Sequence, residues 1–94
     1  MIKLFRDKPS KKFYLGERVS KFSDVHPKQA AKAFDQLAAA ERLEDLIVRP
    51  SLHFEALQGR AGVYSVRINR RWRVEFGWDG EHVVEVAVTK HYEQ

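Results

Sequence analysis

The amino-acid sequence predicts an α+β domain, with N-terminal helices packed on one face of a mainly antiparallel, twisted β-sheet. Three observations carry this expectation. Up to about Pro50 the apolar residues recur at helical spacing, and after it they alternate with polar ones at a period of two. The change happens once, so helices and strands are segregated rather than interleaved as in a parallel βαβ layout. At 94 residues the chain can build one modest core but not two, so residues 1–94 read as a single domain.

"IKLF", from Ile2 to Phe5, reads as a short first strand. "PSKKFYLG" reads as a brief helix, with Pro9 near its start and Gly16 at its end. The main helix lies within "SDVHPKQAAKAFDQLAAAERLEDL". Ser23 or Asp24 can cap it, Pro27 suits its first turn, and its alanines favour the helical state. Ala30, Ala33, Phe34, Leu37 and either Ala40 or Glu41 share one face, directed at the sheet, while Lys28, Lys32, Asp35 and Gln36 face out. "VRPS", from Val48 to Ser51, ends the pattern.

"HFEAL", "VYSVRIN", "WRVEFGW" and "HVVEVAVTKHY" then read as strands joined by "QGRAG", "RR" and "DGE". Val66, Ile68, Trp72, Val74, Phe76, Val84, Val86 and Val88 fall on even positions and make a core face, with Trp78 on the same side. Ser65, Arg67, Arg73, Glu75, Glu85, Thr89 and His91 fall on the opposite, open face. Consistent faces require odd-length loops, Asn69–Arg70–Arg71 and Asp79–Gly80–Glu81, because a one-residue slip inverts a strand. A two-residue Asp-Gly turn would aim Val83 and Glu85 at the core and is set aside on that ground. The register then sets Arg67 opposite Arg73 and Glu75 opposite Glu85. Like charges so placed repel by a few tenths of a kcal/mol, roughly, unless solvent or a ligand relieves them.

Seventeen Lys and Arg against thirteen Asp and Glu give a formal charge of +4, a small bias toward a polyanionic partner. The distribution says more. No acidic residue lies between Glu55 and Glu75, and that window holds Arg60, Arg67, Arg70, Arg71 and Arg73. Lysine dominates the helical half, at Lys8, Lys11, Lys12, Lys21, Lys28 and Lys32. Arginine suits bidentate phosphate contacts, whereas lysine is a point charge. The absence of cysteine excludes a disulfide scaffold and fits a reducing cytoplasm. His26, His53 and His82 lack metal-ligand spacing. "MIKLFRDKPSKK" returns to charge too early for a signal peptide, and no apolar run approaches the length that spans a bilayer. A cytoplasmic protein with no membrane partner is expected.

Carried back across "GRAG", the alternation places Glu55 on the open face near Arg67. Glu55, Arg67, Arg73 and His91 would then surround one small anion. These residue types suit cleavage of RNA at its own 2′-hydroxyl without a metal or other cofactor. A base takes the hydroxyl proton, cations stabilise the phosphorane, and an acid protonates the departing 5′-oxygen. Glu55 is a candidate base and His91 a candidate acid, because imidazole titrates nearest neutral pH. Arg73, helped by Arg67, would hold the phosphate.

"HFEALQGRAGVYSVRINRRWRVEFGW", the final "HY" and the opening "MIKLF" resemble the RelE/HigB superfamily of bacterial type II toxins. The resemblance covers nearly the whole chain. It implies a compact RelE-like fold and a ribosome-dependent endonuclease that cuts mRNA in the small-subunit decoding site of the 70S ribosome. It also implies a cognate antitoxin, often a helix-turn-helix protein of the HigA type. Glu55 in "EALQG" matches the glutamate base of YoeB-like members, Arg73 their catalytic arginine, and His91 and Tyr92 their terminal pair. Arg67 matches a hairpin arginine that contacts substrate, with Arg70, Arg71, Lys90 and His53 as further RNA contacts. HigB-like toxins usually close with Asp-Tyr-His, where this chain has Thr89, Lys90 and His91. Some place histidine where Glu55 stands, so His53 and Glu55 are both open as the base. Two other readings share the fold: a ParE-like poison of DNA gyrase, which needs no acid–base pair, and a degenerate member that only binds its antitoxin and DNA. The bland counterpart of every candidate is a solvated charge on an outer sheet face.

Overall fold

The computed structural model describes residues 1–90. Its centre is a four-stranded sheet in the order β1 (Glu55–Ala56), β2 (Val63–Arg67), β3 (Trp72–Trp78), β4 (Val83–Lys90), antiparallel throughout. The segment at residues 2–5 lies beside β4 in parallel, bridging Ile2 to Val83 and Phe5 to Val86. Helices α1 (Lys8–Tyr14), α2 (Pro27–Ala39) and α3 (Glu44–Ile47) precede the sheet in the chain, as the segregated periodicities require.

Local chemistry sets the helix ends. Asp7 caps α1, its carboxylate accepting the Ser10 N–H at 2.8 Å, and Gly16 follows the helix at φ +91°, a conformation that favours glycine. The Ser10 hydroxyl is buried and accepts the Val88 N–H at 2.9 Å, which fastens α1 to β4. The cap of α2 is His26 rather than Ser23 or Asp24: its Nδ1 accepts the Lys28 N–H at 3.2 Å. A 3₁₀ turn over Ser20–Phe22 occupies the chain just before, and Pro27 fixes the first helical position, so the cap falls on the residue preceding it. The helix stops at Ala39 because the Asp45 carboxylate takes the N–H groups of Glu41 and Arg42, at 2.9 and 3.0 Å, away from a helical ladder. Those two bonds also hold the Asp45 carboxyl below its ordinary pKa. Ala40, not Glu41, completes the buried face with Ala30, Ala33, Phe34 and Leu37.

The core lies between this face and the even-numbered side of β2 and β3. Val66, Val74 and Phe76 are solvent-free there, with Ile68 and Trp72 nearly so, and Phe22 packs edge-on against Trp72. Trp78 is only partly buried at the rim. The first hairpin keeps the expected register, with Arg67 opposite Arg73. Asn69 shapes its turn by accepting the N–H groups of Arg71 and Trp72.

The second hairpin departs from expectation. Glu75 pairs with Ala87, not Glu85, and Val83 is fully buried while Val84 is not. Glu85 sits at φ +53° in a β-bulge, which inserts one residue and flips the parity of everything before it. Val83 and Val86 therefore both reach the core, the loop lengthens to Asp79–His82, and Glu75 does not face Glu85. Asp79 closes that loop by accepting the N–H groups of Glu81 and His82, which lowers its own pKa. The strand expected over "HFEAL" is also shorter than read. His53 ends a 3₁₀ turn in the left-handed region, φ +46° and ψ +52°, and pairing begins only at Glu55.

Candidate functional site

The open face forms a cavity of about 710 Å³, lined among others by Glu55, Arg60, Ser65, Arg73, Glu75 and Thr89. Every one but Arg60 is an odd-numbered strand position, so the alternation in the sequence places them.

Arg73 stands at the centre of this face and is only 6% exposed. Its position on an inner strand, between Arg67 and Thr89, explains the burial. A buried guanidinium must find acceptors. Its Nε donates to the Ser65 hydroxyl at 2.8 Å, and its Nη2 to the carbonyls of His53 at 2.5 Å and Ser65 at 3.4 Å. Nη1 faces the Glu55 carboxylate at 3.5 Å. Burial pushes the Arg73 pKa below its ordinary value; Glu55 works against that shift and Arg67 adds to it. The group stays a cation at any physiological pH.

The other predicted residues gather unevenly. Glu55, on β1 opposite Ser65, keeps half its side chain exposed, and among the described residues its one ion-pair partner is Arg73. Arg67 lies beside Arg73 and leans toward His53, its Nη1 being 3.3 Å from His53 Nε2. A guanidinium only donates, so this contact uses the imidazole's lone pair. His53 thus meets the site twice, by its ring through Arg67 and by its carbonyl through Arg73. Arg70 and Arg71 lie on the exposed hairpin tip, and among the described residues no hydrogen bond or ion pair ties them to Glu55 or Arg73. Lys90 lines the cavity, but its ammonium sits 5.6 Å over the Trp72 ring. His91 and Tyr92 lie outside the described residues. No three His, Asp or Glu side chains among the described residues converge closely enough to hold a metal ion.

The far end of the cavity holds a second cluster. The Glu75 carboxylate accepts from Arg6 at 3.0 Å and Arg60 at 2.9 Å. Burial raises its pKa, but the bonds and charges of the two arginines outweigh burial and hold it below the ordinary value. Arg6 had no signal in the sequence, since its contact spans 69 positions. Ser65 had a weak one, a small polar residue on the open face between charged neighbours.

A model of the family described as RelE-like toxin of type II toxin-antitoxin system HigB matches residues 3–91. The chain belongs to this HigB-like toxin family. The matched span includes His91 and the whole Glu55–Arg73 cluster. An uncharacterized protein of Haemophilus influenzae is 29% identical over 89 residues, covering 93% of this chain and 88% of its own. The structure of the YoeB dimer from Staphylococcus aureus superposes with a TM-score of 0.55 at 22% identity, over 98% of this chain and 95% of that one. At that identity the likeness is one of fold, and it is the α+β fold the periodicities predict. As a HigB-like toxin, the protein has an antitoxin as its implied partner. No described helix is long and apolar enough to cross a membrane.

Proposed function

We propose that this HigB-like toxin is a ribosome-dependent mRNA endonuclease that cuts by attack of the ribose 2′-oxygen on the adjacent phosphorus. Glu55 takes the 2′-hydroxyl proton, the new O–P bond closes a 2′,3′-cyclic phosphate, and the 5′-oxygen leaves with a proton from His91. Arg73 and Arg67 balance the charge that develops on the phosphorane oxygens. Tyr92 and the tip arginines, Arg70 and Arg71, would hold the strand nearby, with Lys90 on the same rim. The small-subunit decoding site would supply the mRNA in the cleavable conformation, and a HigA-like helix-turn-helix protein would be the antitoxin.

One observation carries the reading. Glu55 is a half-exposed carboxylate on a cavity wall, 3.5 Å from a buried arginine whose other donors are already anchored. It has acceptor capacity to spare. His53 has less, because its Nε2 lone pair is directed at Arg67. That contrast favours Glu55 as the base. The test is to map transcript ends after brief induction. Cuts within codons that need ribosomes and end in cyclic phosphate are expected. Intact mRNA with gyrase-dependent DNA breaks would replace this reading with the gyrase-poison one.

A further inference from the structure

Arg73 is held by two groups to which no role in the chemistry has been assigned. Ser65 is 1% exposed and sits on β2 with Glu55 to one side and Glu75 to the other. Its hydroxyl accepts from Nε, and its carbonyl faces Nη2. The second anchor is the carbonyl of His53, turned toward Nη2 by a left-handed backbone that is uncommon outside glycine and that β-branched residues resist. Together they occupy the Nε–Nη2 edge of the guanidinium. The Nη1 edge is left beside Glu55 and the cavity.

We infer that Ser65 and the left-handed backbone of His53 form a positioning clamp, which holds the Nη1 edge of Arg73 toward the cavity and the scissile phosphate, at 3.5 Å from the Glu55 carboxylate. This rests on the cleavage reading above. Without the Ser65 hydroxyl, the buried Nε–H loses its partner, and the guanidinium is held only by the two carbonyls at Nη2 and the Glu55 carboxylate at Nη1. The Nη1 edge would lose its fixed direction, and a closer pairing with Glu55 would occupy both groups. Both anchors act on the Nε–Nη2 edge, away from the Nη1 edge assigned to the phosphate, so the loss should fall on the chemical step and not on association.

The test uses the full chain with mRNA-programmed ribosomes and two readouts: the single-turnover rate with its half-saturating concentration, and NMR exchange of the Arg73 Nε proton in the free protein. Thermal melts confirm that each variant folds. Ser65→Ala should slow cleavage by roughly ten- to a hundredfold, with half-saturation within about twofold. Its Arg73 Nε proton should exchange fast where the parent's exchanges slowly. Ser65→Thr, which keeps the oxygen, should restore most of the rate. His53→Gly keeps the left-handed turn and loses only the imidazole at Arg67, so it should retain more of the rate than His53→Val, which loses the imidazole and also resists that turn. Equal losses in both His53 variants would assign the effect to the imidazole and overturn the backbone half. A parental rate in Ser65→Ala, with cleavage abolished in Arg73→Gln, would overturn the clamp and leave the cleavage reading standing. A parental rate in Arg73→Gln would overturn the cleavage reading itself. Fast Nε exchange in the parent would overturn the clamp whatever the activity.

Discussion

The open face of the sheet carries two carboxylate–arginine clusters built from the same residue types, and they are not equivalent. At one end Glu75 is mostly buried and saturated, with Arg6 and Arg60 both on its Oε1 and the Thr89 hydroxyl 3.5 Å from Oε2. It joins the N-terminal segment and the β1–β2 loop to the middle of β3, so it is a cross-link between three parts of the chain. At the other end Glu55 is half-exposed, and the buried member is the arginine. There the cation is fixed, and the carboxylate has a single ion-pair partner among the described residues. Residue composition alone does not make a reactive site; what matters is which partner has unspent hydrogen-bonding capacity.

The largest effect should come from removing the fixed cation. Arg73→Ala is expected to lower cleavage by at least about a hundredfold, the scale of a lost transition-state donor. Arg73→Lys should recover little, because an ammonium cannot serve Ser65, His53 and a phosphate at once. Single-turnover cleavage on programmed ribosomes reads both, and Arg60→Ala, from the other cluster, should stay within a few-fold of the parent. Stability should show the opposite ranking. Glu75→Gln leaves two arginines without their counter-charge and should cost about 1 kcal/mol, whereas Glu55→Gln, at an exposed pair, should cost less. Urea denaturation compares them.

The same contrast has a pH signature. Because the folded-state pKa of Glu75 lies below its ordinary value of 4.5, its contribution is present above that pH and is lost as pH falls through the lower, folded-state value. Glu75→Gln should therefore flatten the acid limb of the stability curve below about pH 4.5, measured by melting temperature against pH.

The sequence shows why one hairpin was easy to read and the other was not. From Ser65 to Phe76 the apolar residues keep one parity on both strands and Asn69 marks the turn, so Arg67 opposite Arg73 follows from pattern. In β4, adjacent Val83 and Val84 satisfy either parity, and nothing about a glutamate announces a left-handed bulge. The alternation put Glu55 on the open face near Arg67, but the length of the β1–β2 loop sets its actual place, opposite Ser65 and paired with Arg73. Arg6 on Glu75 was not legible, because it depends on how the N-terminal segment docks on β4, and the carbonyl role of His53 has no counterpart in residue type. The smallest expected effect probes the unread bulge. Glu85→Gly should relieve a left-handed backbone and raise stability by about 0.5 kcal/mol, while Glu85→Val should lower it; paired thermal melts decide.

The most direct test sets the two carboxylates against each other in one assay. Single-turnover cleavage of ribosome-bound mRNA by Glu55→Gln should be at least about a hundredfold slower than the parent, the low end for a lost general base, while Glu75→Gln stays within a few-fold. Equal losses in the two variants, or a larger loss at Glu75, would contradict the account, because the saturated carboxylate would then be the one that works.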